Sequence, residues 1–171
     1  MSKIKGTIGI LTGGGDVPGL NPAIRAVTVR ALREGYRVLG IRRGWAGLVD
    51  LVPDPHADNS SCIQELTEEV VNRAGRTGGT FLHTSRTRPS HLPITNVPTH
   101  LQGLYLDTIN DVTPQVLNNI EFLGRDRDVV VDGVHHERRL AVGEDHIDTA
   151  VVELRPDLRR SLFGERHPGL A

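Results

Sequence analysis

Cysteine is nearly absent from the sequence: Cys62 is the one cysteine in 171 residues. A single thiol cannot form an internal disulfide or supply a multi-cysteine zinc site. Such scarcity is typical of a reducing compartment, where a lone cysteine behaves as a small apolar residue. We therefore expect a cytoplasmic protein in which Cys62 is buried and inert.

Long apolar runs and an excess of charge of either sign are also missing. The apolar run after Lys5 is interrupted by Gly9 and again by three glycines, so it is too short for a signal peptide or a membrane span. The formal net charge is −1 with histidines neutral, which gives no positive field for nucleic acid. We expect neither a membrane nor a nucleic-acid partner, and favour a small molecule.

Apolar periodicity, in contrast, is clear in the first part of the chain. Residues 7–11 form a short apolar run typical of a buried strand, and an apolar stripe at helical spacing follows from Asn21 to Gly35. Asn21 is the predicted N-cap, with Pro22 at the first helical position. Residues 36–41 are a second strand, so this strand–helix–strand unit predicts a parallel pair. The fold class is α/β, a Rossmann-like layered parallel sheet with helices on both faces.

The later elements are predicted from shorter patterns. The segment after the second strand is expected to be a turn-rich loop, in which Trp45 packs or lines a ligand site, packing being favoured. Ser61, followed by Gln64, resembles a capping box for a helix ending near Gly75. Residues 90–99 are rich in proline and predict irregular structure, residues 113–124 predict a helix, and residues 128–133 predict a further strand.

The glycine-rich stretch between the first strand and its helix, "TGGGDVPGLN", carries the main functional signal. A strand that ends in glycines before a helix brings unpaired N–H groups and the positive end of the helix dipole together, which favours a phosphate. The alternative is a tight turn without a ligand. Because lysine is absent beyond Lys5, a Walker loop is excluded, and the spacing fits a dinucleotide fingerprint poorly.

This stretch resembles the opening of the 6-phosphofructokinases, where a strand leads into a Gly-Gly-Asp-x-Pro-Gly-x-Asn loop and a helix with Ile-Arg. The matching residues are Gly14, Gly15, Asp16, Pro18, Gly19, Asn21, Ile24 and Arg25. The similarity continues through "REGYRVLGIRRGWAGL", "GGTFLHTSRTRP" and "TPQVLNNIEFLG", and covers roughly residues 5–124. His83, Pro22 and Arg88 depart from the family pattern, His83 standing where a glycine is usual.

The resemblance implies a site for a small-molecule phosphate donor, either ATP or pyrophosphate with Mg²⁺. Gly14 and Gly15 would contact the donor, and Arg86 with Thr87 would lie beside its phosphates. A guanidinium in a Gly/Ser/Thr loop also suits bidentate contact with phosphate oxygens, although an isolated surface arginine would not suggest a ligand. The implied reaction is phosphoryl transfer to fructose 6-phosphate in glycolysis, carried out by a homo-oligomer. We do not predict a homo-oligomer for this chain itself.

Two parts of the family's chemistry are not found in the sequence. The resemblance requires a Gly-Gly-Asp metal motif and a Thr-x-Asp-Asn-Asp motif that supplies the base, and the chain contains neither. Asp132 with Gly133 is a candidate remnant of the metal motif. The alternative interpretation is a carboxylate in an exposed turn. His135, His136 and Glu137 are adjacent, so a solvated run fits them better than a metal site. We identify no Mg²⁺ ligand and no catalytic residue.

A compositional break near Gly124 coincides with the end of the resemblance. Residues 125–171 hold 18 of the 41 charged residues and four of the eight histidines. We predict a partial phosphofructokinase N-terminal domain over residues 1–124 and a divergent charged tail over residues 125–171. A frameshift or truncation near codon 124 would explain the break, and translation of the gene's other two frames would test it.

Three functions are therefore considered. The first is a phosphofructokinase, which we expect to be inactive in this chain because the metal and base motifs are missing. The second is a non-catalytic phosphate- or nucleotide-binding remnant. The third is an unrelated Rossmann-like nucleotide-binding module, against which Arg42 and Arg43 count, because NAD-binding domains place an acidic residue there.

Overall fold

The computed structural model describes residues 4–15, 18–74, 76, 78–125 and 149–153. Strands and helices alternate through the first half of this part of the chain, and shorter elements follow. In chain order they are β1 (Gly6–Thr12), α1 (Leu20–Arg33), β2 (Tyr36–Ile41), α2 (Trp45–Asp50), β3 (Ile63–Glu65), α3 (Glu68–Ala74), β4 (Leu92–Pro93), β5 (Ile109–Asn110), α4 (Thr113–Arg125) and β6 (Thr149–Glu153). Three 3₁₀ turns lie at Pro89–His91, Ile94–Asn96 and Thr99–Leu101.

The main sheet has four strands in the order β3–β2–β1–β6. β1 and β2 are parallel, with Gly6 opposite Tyr36 and Ile10 opposite Gly40, as a strand–helix–strand unit requires. β3 and β6 run antiparallel to their neighbours, so the sheet is mixed. β4 and β5 form a separate two-stranded sheet. β1 therefore lies inside the main sheet with a partner on each side.

Two hydrophobic clusters cover the two faces of the main sheet. Neighbouring β1 residues point to opposite faces, so Ile10 joins one cluster and Leu11 the other. The Ile10 cluster includes residues of α1 and α3, and the Leu11 cluster includes residues of α2 and α4. The predicted layered α/β fold is thus confirmed, with helices on both faces.

The helix predicted from Ser61 begins later than expected. Residues 63–65 are β3, which pairs with β2 at Leu39–Ile41 and is joined to it by an Arg37–Glu65 ion pair (3.3 Å). The Thr67 hydroxyl instead accepts the N–H of Val70 (3.3 Å), the contact of a helix cap, and α3 begins at Glu68. The capping-box prediction at Ser61 is wrong because pairing with β2 outweighs a local cap signal.

The prediction that Asn21 caps α1 is wrong. The helix begins at Leu20 after Gly19, whose φ of 110° lies in the left-handed region, and no side chain among the described residues caps it. The buried Asn21 amide donates to the carbonyl of Ala74 (3.3 Å) and accepts the N–H of Phe81 (3.0 Å). Asn21 therefore ties α1 to the segment that follows α3.

The remaining predictions have mixed outcomes. The segment at Trp45 is a short helix, α2, rather than a loop, and Trp45 packs against the Leu11 cluster, as favoured. Residues 90–99, predicted to be irregular, contain 3₁₀ turns and the two-residue strand β4. α4 covers the predicted helix, and Cys62 is buried, as expected. The strand predicted at residues 128–133 lies outside the described residues. Within the described part of the chain, no helix has the length and apolar character to cross a membrane.

The boundary predicted at Gly124 stays a prediction. β6, which follows that boundary, pairs with β1 from Ile8 to Thr12. Residues 134–171 have no sustained apolar periodicity, so the sequence does not predict this strand.

Candidate functional site

The glycine loop, residues 13–15, begins where β1 ends at the fully buried Thr12. Gly13 forms an isolated parallel bridge with Ser85, and the Gly14 N–H donates to the Ser85 carbonyl (3.2 Å). The Thr84 hydroxyl donates to the Gly14 carbonyl (3.0 Å). Both backbone polar groups of Gly14 are therefore engaged, and its φ of 78° lies in the left-handed region that favours glycine. Gly14 shapes the loop without presenting an unbonded amide.

Gly15 differs from Gly14 in each of these respects. A Cβ built on Gly15 would have no atom within 4 Å, and its φ is not in the left-handed region. Among the residues that the structure describes, none accepts a hydrogen bond from its amide. Neither packing nor backbone conformation requires a glycine at this position. The open space and the unbonded amide fit the close approach of a ligand.

The second part of the site is the TSRT segment, residues 84–87, named after its sequence. The Ser85 hydroxyl lies within 3.4 Å of the Ala46 N–H and within 3.5 Å of the Thr87 N–H. Ser85 thus contacts the glycine loop through its backbone, and α2 and Thr87 through its side chain. The structure brings the two predicted pairs, Gly14 with Gly15 and Arg86 with Thr87, to the same end of the sheet.

Arg86 is exposed and makes no ion pair with any residue that the structure describes. Thr87 is half-buried. An arginine with no ion-pair partner among the described residues can offer its N–H donors to an external anion. The carboxyl ends of parallel strands are also where ligands bind in open α/β sheets. The contacts of Arg86 and Thr87 with a donor remain predictions.

The turn after β2, residues 42–44, packs against the end of β1 and against the TSRT segment. Gly44 packs so closely on the Thr12 carbonyl that a Cβ there would collide with it. Arg43 forms an ion pair with Asp50 (2.8 Å), and its N–H donates to the Leu82 carbonyl (2.8 Å). On the far side, Asn119 donates to the carbonyls of Leu48 and Leu51 (2.8 and 2.9 Å). This network holds α2 against α4.

Sequence reasoning missed the connecting residues of the site: Thr12, Ser85 and Asn119. Hydroxyl groups in the TSRT segment were a visible signal, because serine and threonine next to glycine often bond to backbone groups. Asn119 gave no signal, since an asparagine within a helix looks solvent-exposed until the packing is known.

A metal site was tested against the side chains present. Within residues 4–15, 18–74, 76, 78–125 and 149–153, no three His, Cys, Asp or Glu side chains are grouped so that they could hold a metal ion. We therefore name no Mg²⁺ ligand among the described residues and derive no step through the ion. The candidate remnant at Asp132 and Gly133, and the run His135, His136 and Glu137, lie outside the described residues.

Comparisons with known proteins show which family this chain resembles. The chain is 47% identical over 89 residues to a pyrophosphate–fructose 6-phosphate 1-phosphotransferase from Dictyoglomus thermophilum, which covers 52% of this chain and 22% of that protein. It is 51% identical over 81 residues to an ATP-dependent 6-phosphofructokinase from Lactobacillus helveticus, which covers 46% of this chain and 22% of that protein. The chain thus spans about a fifth of the length of the curated relatives it matches.

A solved phosphofructokinase from Pichia pastoris, in the T-state, superposes with a TM-score of 0.48 and 27% identity, over 68% of this chain and 9% of that one. The phosphofructokinase family model matches residues 7–110, which include all of β1 except Gly6, the glycine loop and the TSRT segment. That match covers more than half of the sequence. The chain belongs to the phosphofructokinase family.

Proposed function

We propose that the glycine loop and the TSRT segment bind the phosphate groups of a phosphoryl donor, ATP or pyrophosphate. The observation that carries this proposal is Gly15, whose amide has no partner among the described residues and whose missing side chain leaves open space. A ligand-free turn would not need a glycine at this position.

Each residue has a distinct part in this binding. The Gly15 amide donates to a phosphate oxygen, and the Arg86 guanidinium supplies charge-assisted hydrogen bonds. Gly14 holds the loop against Ser85, so that the two donors stay in a fixed relation (3.2 Å from N to O). Thr87 lies next to Arg86, and its hydroxyl adds a further donor. Groups fixed before the ligand arrives bind it without first paying an ordering cost.

In the complete family protein we propose that this site presents the donor to the 1-hydroxyl of fructose 6-phosphate. Arginine near the transferring phosphoryl group stabilises the charge that develops in the transition state. The named relatives include both pyrophosphate- and ATP-dependent proteins, so both donors stay within the proposal. Magnesium, a cytoplasmic location and the homo-oligomer belong to the same proposal, at the level of the family.

For the printed chain itself we propose binding without transfer. The sequence contains neither the Gly-Gly-Asp metal motif nor the Thr-x-Asp-Asn-Asp base motif that the family resemblance requires. Without a base near the acceptor hydroxyl, the phosphoryl group has no activated acceptor. A non-catalytic phosphate-binding protein is therefore the second candidate function.

Calorimetric titration of the full chain with pyrophosphate, and separately with ATP, tests donor binding. Arg86→Ala should weaken the binding of at least one donor by about tenfold, because it removes charge-assisted hydrogen bonds. Arg88→Ala is the matched control, since Arg88 is also exposed and lies two residues away. Equal affinities for the parent chain and Arg86→Ala would contradict the proposed site.

A coupled assay with fructose 6-phosphate and each donor separates the two candidate functions. The expected result is no turnover above a blank without protein. Turnover that disappears in Gly15→Asp would show a working enzyme and refute the non-catalytic alternative.

A further inference from the structure

Two non-glycine residues in the described part of the chain have a left-handed backbone, and they are neighbours in space. Arg43 has a φ of 59° and His83 a φ of 60°, and the Arg43 N–H donates to the carbonyl of Leu82, next to His83 (2.8 Å). This conformation is unfavourable for residues with a Cβ and almost free for glycine. Strained residues of this kind cluster at functional sites.

The strain at Arg43 has an explanation within the chain. Its guanidinium forms an ion pair with Asp50 (2.8 Å) and approaches the Cys62 sulfur (4.0 Å), so the side chain stabilises the turn that the strained backbone creates. A glycine at this position would lose those contacts.

His83 has no such explanation. Its side chain is exposed and contacts no described residue through a hydrogen bond or ion pair. Its backbone is held on both sides, because its N–H donates to the Thr80 carbonyl (2.9 Å) and its carbonyl accepts the hydroxyl of the buried Thr12 (3.0 Å). The surroundings impose the left-handed conformation, and a glycine would satisfy them equally well.

His83 also lies at the candidate site. The next residue, Thr84, contacts the carbonyl of Gly14 through its hydroxyl (3.0 Å). One residue spans at most about 3.6 Å, so the His83 imidazole starts within a side chain's reach of the glycine loop. The space beside Gly15 is open.

We propose that His83 is a contact residue of the phosphate-donor site, whose imidazole N–H donates to a phosphate oxygen of the bound donor. The inference rests on the proposed function of the same site. It accounts for a side chain that is unfavourable for the backbone and unused by the rest of the described chain. The shared chemistry of ATP and pyrophosphate, an anionic phosphate, is what His83 recognises.

The test compares His83→Gly and His83→Asn with the parent chain, using inorganic pyrophosphate as the probe. His83→Gly should raise Tm by about 2–4 °C, because the left-handed strain is relieved, and should weaken pyrophosphate binding by about fivefold to tenfold. Asparagine tolerates the left-handed region and keeps an N–H donor, so His83→Asn should bind within about threefold of the parent. His100→Asn, at an exposed histidine in a 3₁₀ turn, should change neither quantity.

A His83→Gly variant that is more stable yet binds pyrophosphate as tightly as the parent overturns the inference and leaves the proposed function standing. A loss of affinity in His83→Asn as large as that in His83→Gly also overturns the inference. If His83→Gly does not fold, the affinity of His83→Asn decides the test. A parent chain that does not bind pyrophosphate or ATP refutes the proposed function itself, and the inference with it.

Discussion

The loop after β1 and the turn after β2 leave the same edge of the sheet from adjacent parallel strands, and both depend on glycine. In the turn, a Cβ at Gly44 would collide with the Thr12 carbonyl, and in α2, which follows the turn, a Cβ at Gly47 would collide with the Arg42 carbonyl. In the loop, a Cβ at Gly15 would meet nothing. Packing within the chain explains Gly44 and Gly47, whereas it does not explain Gly15.

The contrast separates two reasons for a glycine that look alike in the sequence. A glycine needed for packing affects the free energy of unfolding, because a substitution displaces backbone. A glycine needed for a ligand affects affinity and leaves the stability of the free protein nearly unchanged. The two regions should therefore respond to substitution in opposite ways.

The largest expected effect is that of Gly47→Ala in α2, the helix that directly follows the turn. The added methyl group meets backbone that cannot rotate away, so we expect a loss of about 3 kcal/mol in the free energy of unfolding. Urea denaturation followed by circular dichroism measures it. The exposed Gly103, where a Cβ would have open space, provides the control Gly103→Ala. Equal stabilities of these two variants would remove the distinction between the regions.

Asn119→Ala tests what holds α2 in place from behind. It leaves the buried carbonyls of Leu48 and Leu51 without their donor, which should cost about 2 kcal/mol. The neighbouring Asn118 is only half-buried, so Asn118→Ala should cost less than about 0.5 kcal/mol. A small, equal change in both urea midpoints would show that α2 is held by apolar packing alone.

Gly15→Ala tests the open loop. The unfolding free energy should stay within about 0.5 kcal/mol of the parent's, because nothing surrounds the new methyl group. Pyrophosphate affinity should fall by about tenfold, or about 1.4 kcal/mol, because the methyl group occupies ligand space. Titration calorimetry and urea denaturation give the two numbers. A destabilised variant with unchanged affinity would place Gly15 with the packing glycines.

The smallest effect concerns Tyr105, which packs on the Leu11 cluster behind the closed turn. Burial, with the nearby Asp111 charge, raises the pKa of its phenol above 10.0. Above pH 10 the unfolded chain loses this proton more readily than the folded one, so stability falls as the pH rises. Urea midpoints between pH 9 and pH 11 should fall less in Tyr105→Phe, and an identical decline would exclude this contribution.

Local signals in the sequence predicted the regular parts of the fold. The apolar stripe of α1, its end at Gly35 and the α4 helix after Thr113 depend on neighbouring residues, and the structure confirms them. The predictions were wrong where contacts with residues far away in the sequence determine the local structure. Ile63–Glu65 is a strand because β2 lies beside it, and Asn21 bonds to Ala74 and Phe81 instead of capping its own helix.

The candidate site divides in the same way. The glycine loop and the TSRT segment were recognisable from their residues, yet they are 70 positions apart where Thr84 contacts Gly14. Only the fold shows that Ser85 joins them and that the Gly14 amide is already bonded to it. The sequence singled out His83 because it stands where the family usually has a glycine, but the φ of 60°, held by the contacts with Thr80 and Thr12, is visible only in the structure.

The position of β1 inside the sheet has a consequence for amide hydrogen exchange. The strand pairs with β2 at residues 6–10 and with β6 at residues 8–12, and the glycine loop begins immediately beyond Thr12. The amides of β1 should therefore exchange slowly in the free protein, whereas the Gly15 amide should exchange rapidly. Added pyrophosphate should slow the exchange at Gly15 and leave the exchange of the β1 amides unchanged. The protection that depends on the ligand should therefore begin in the glycine loop, directly after the strand.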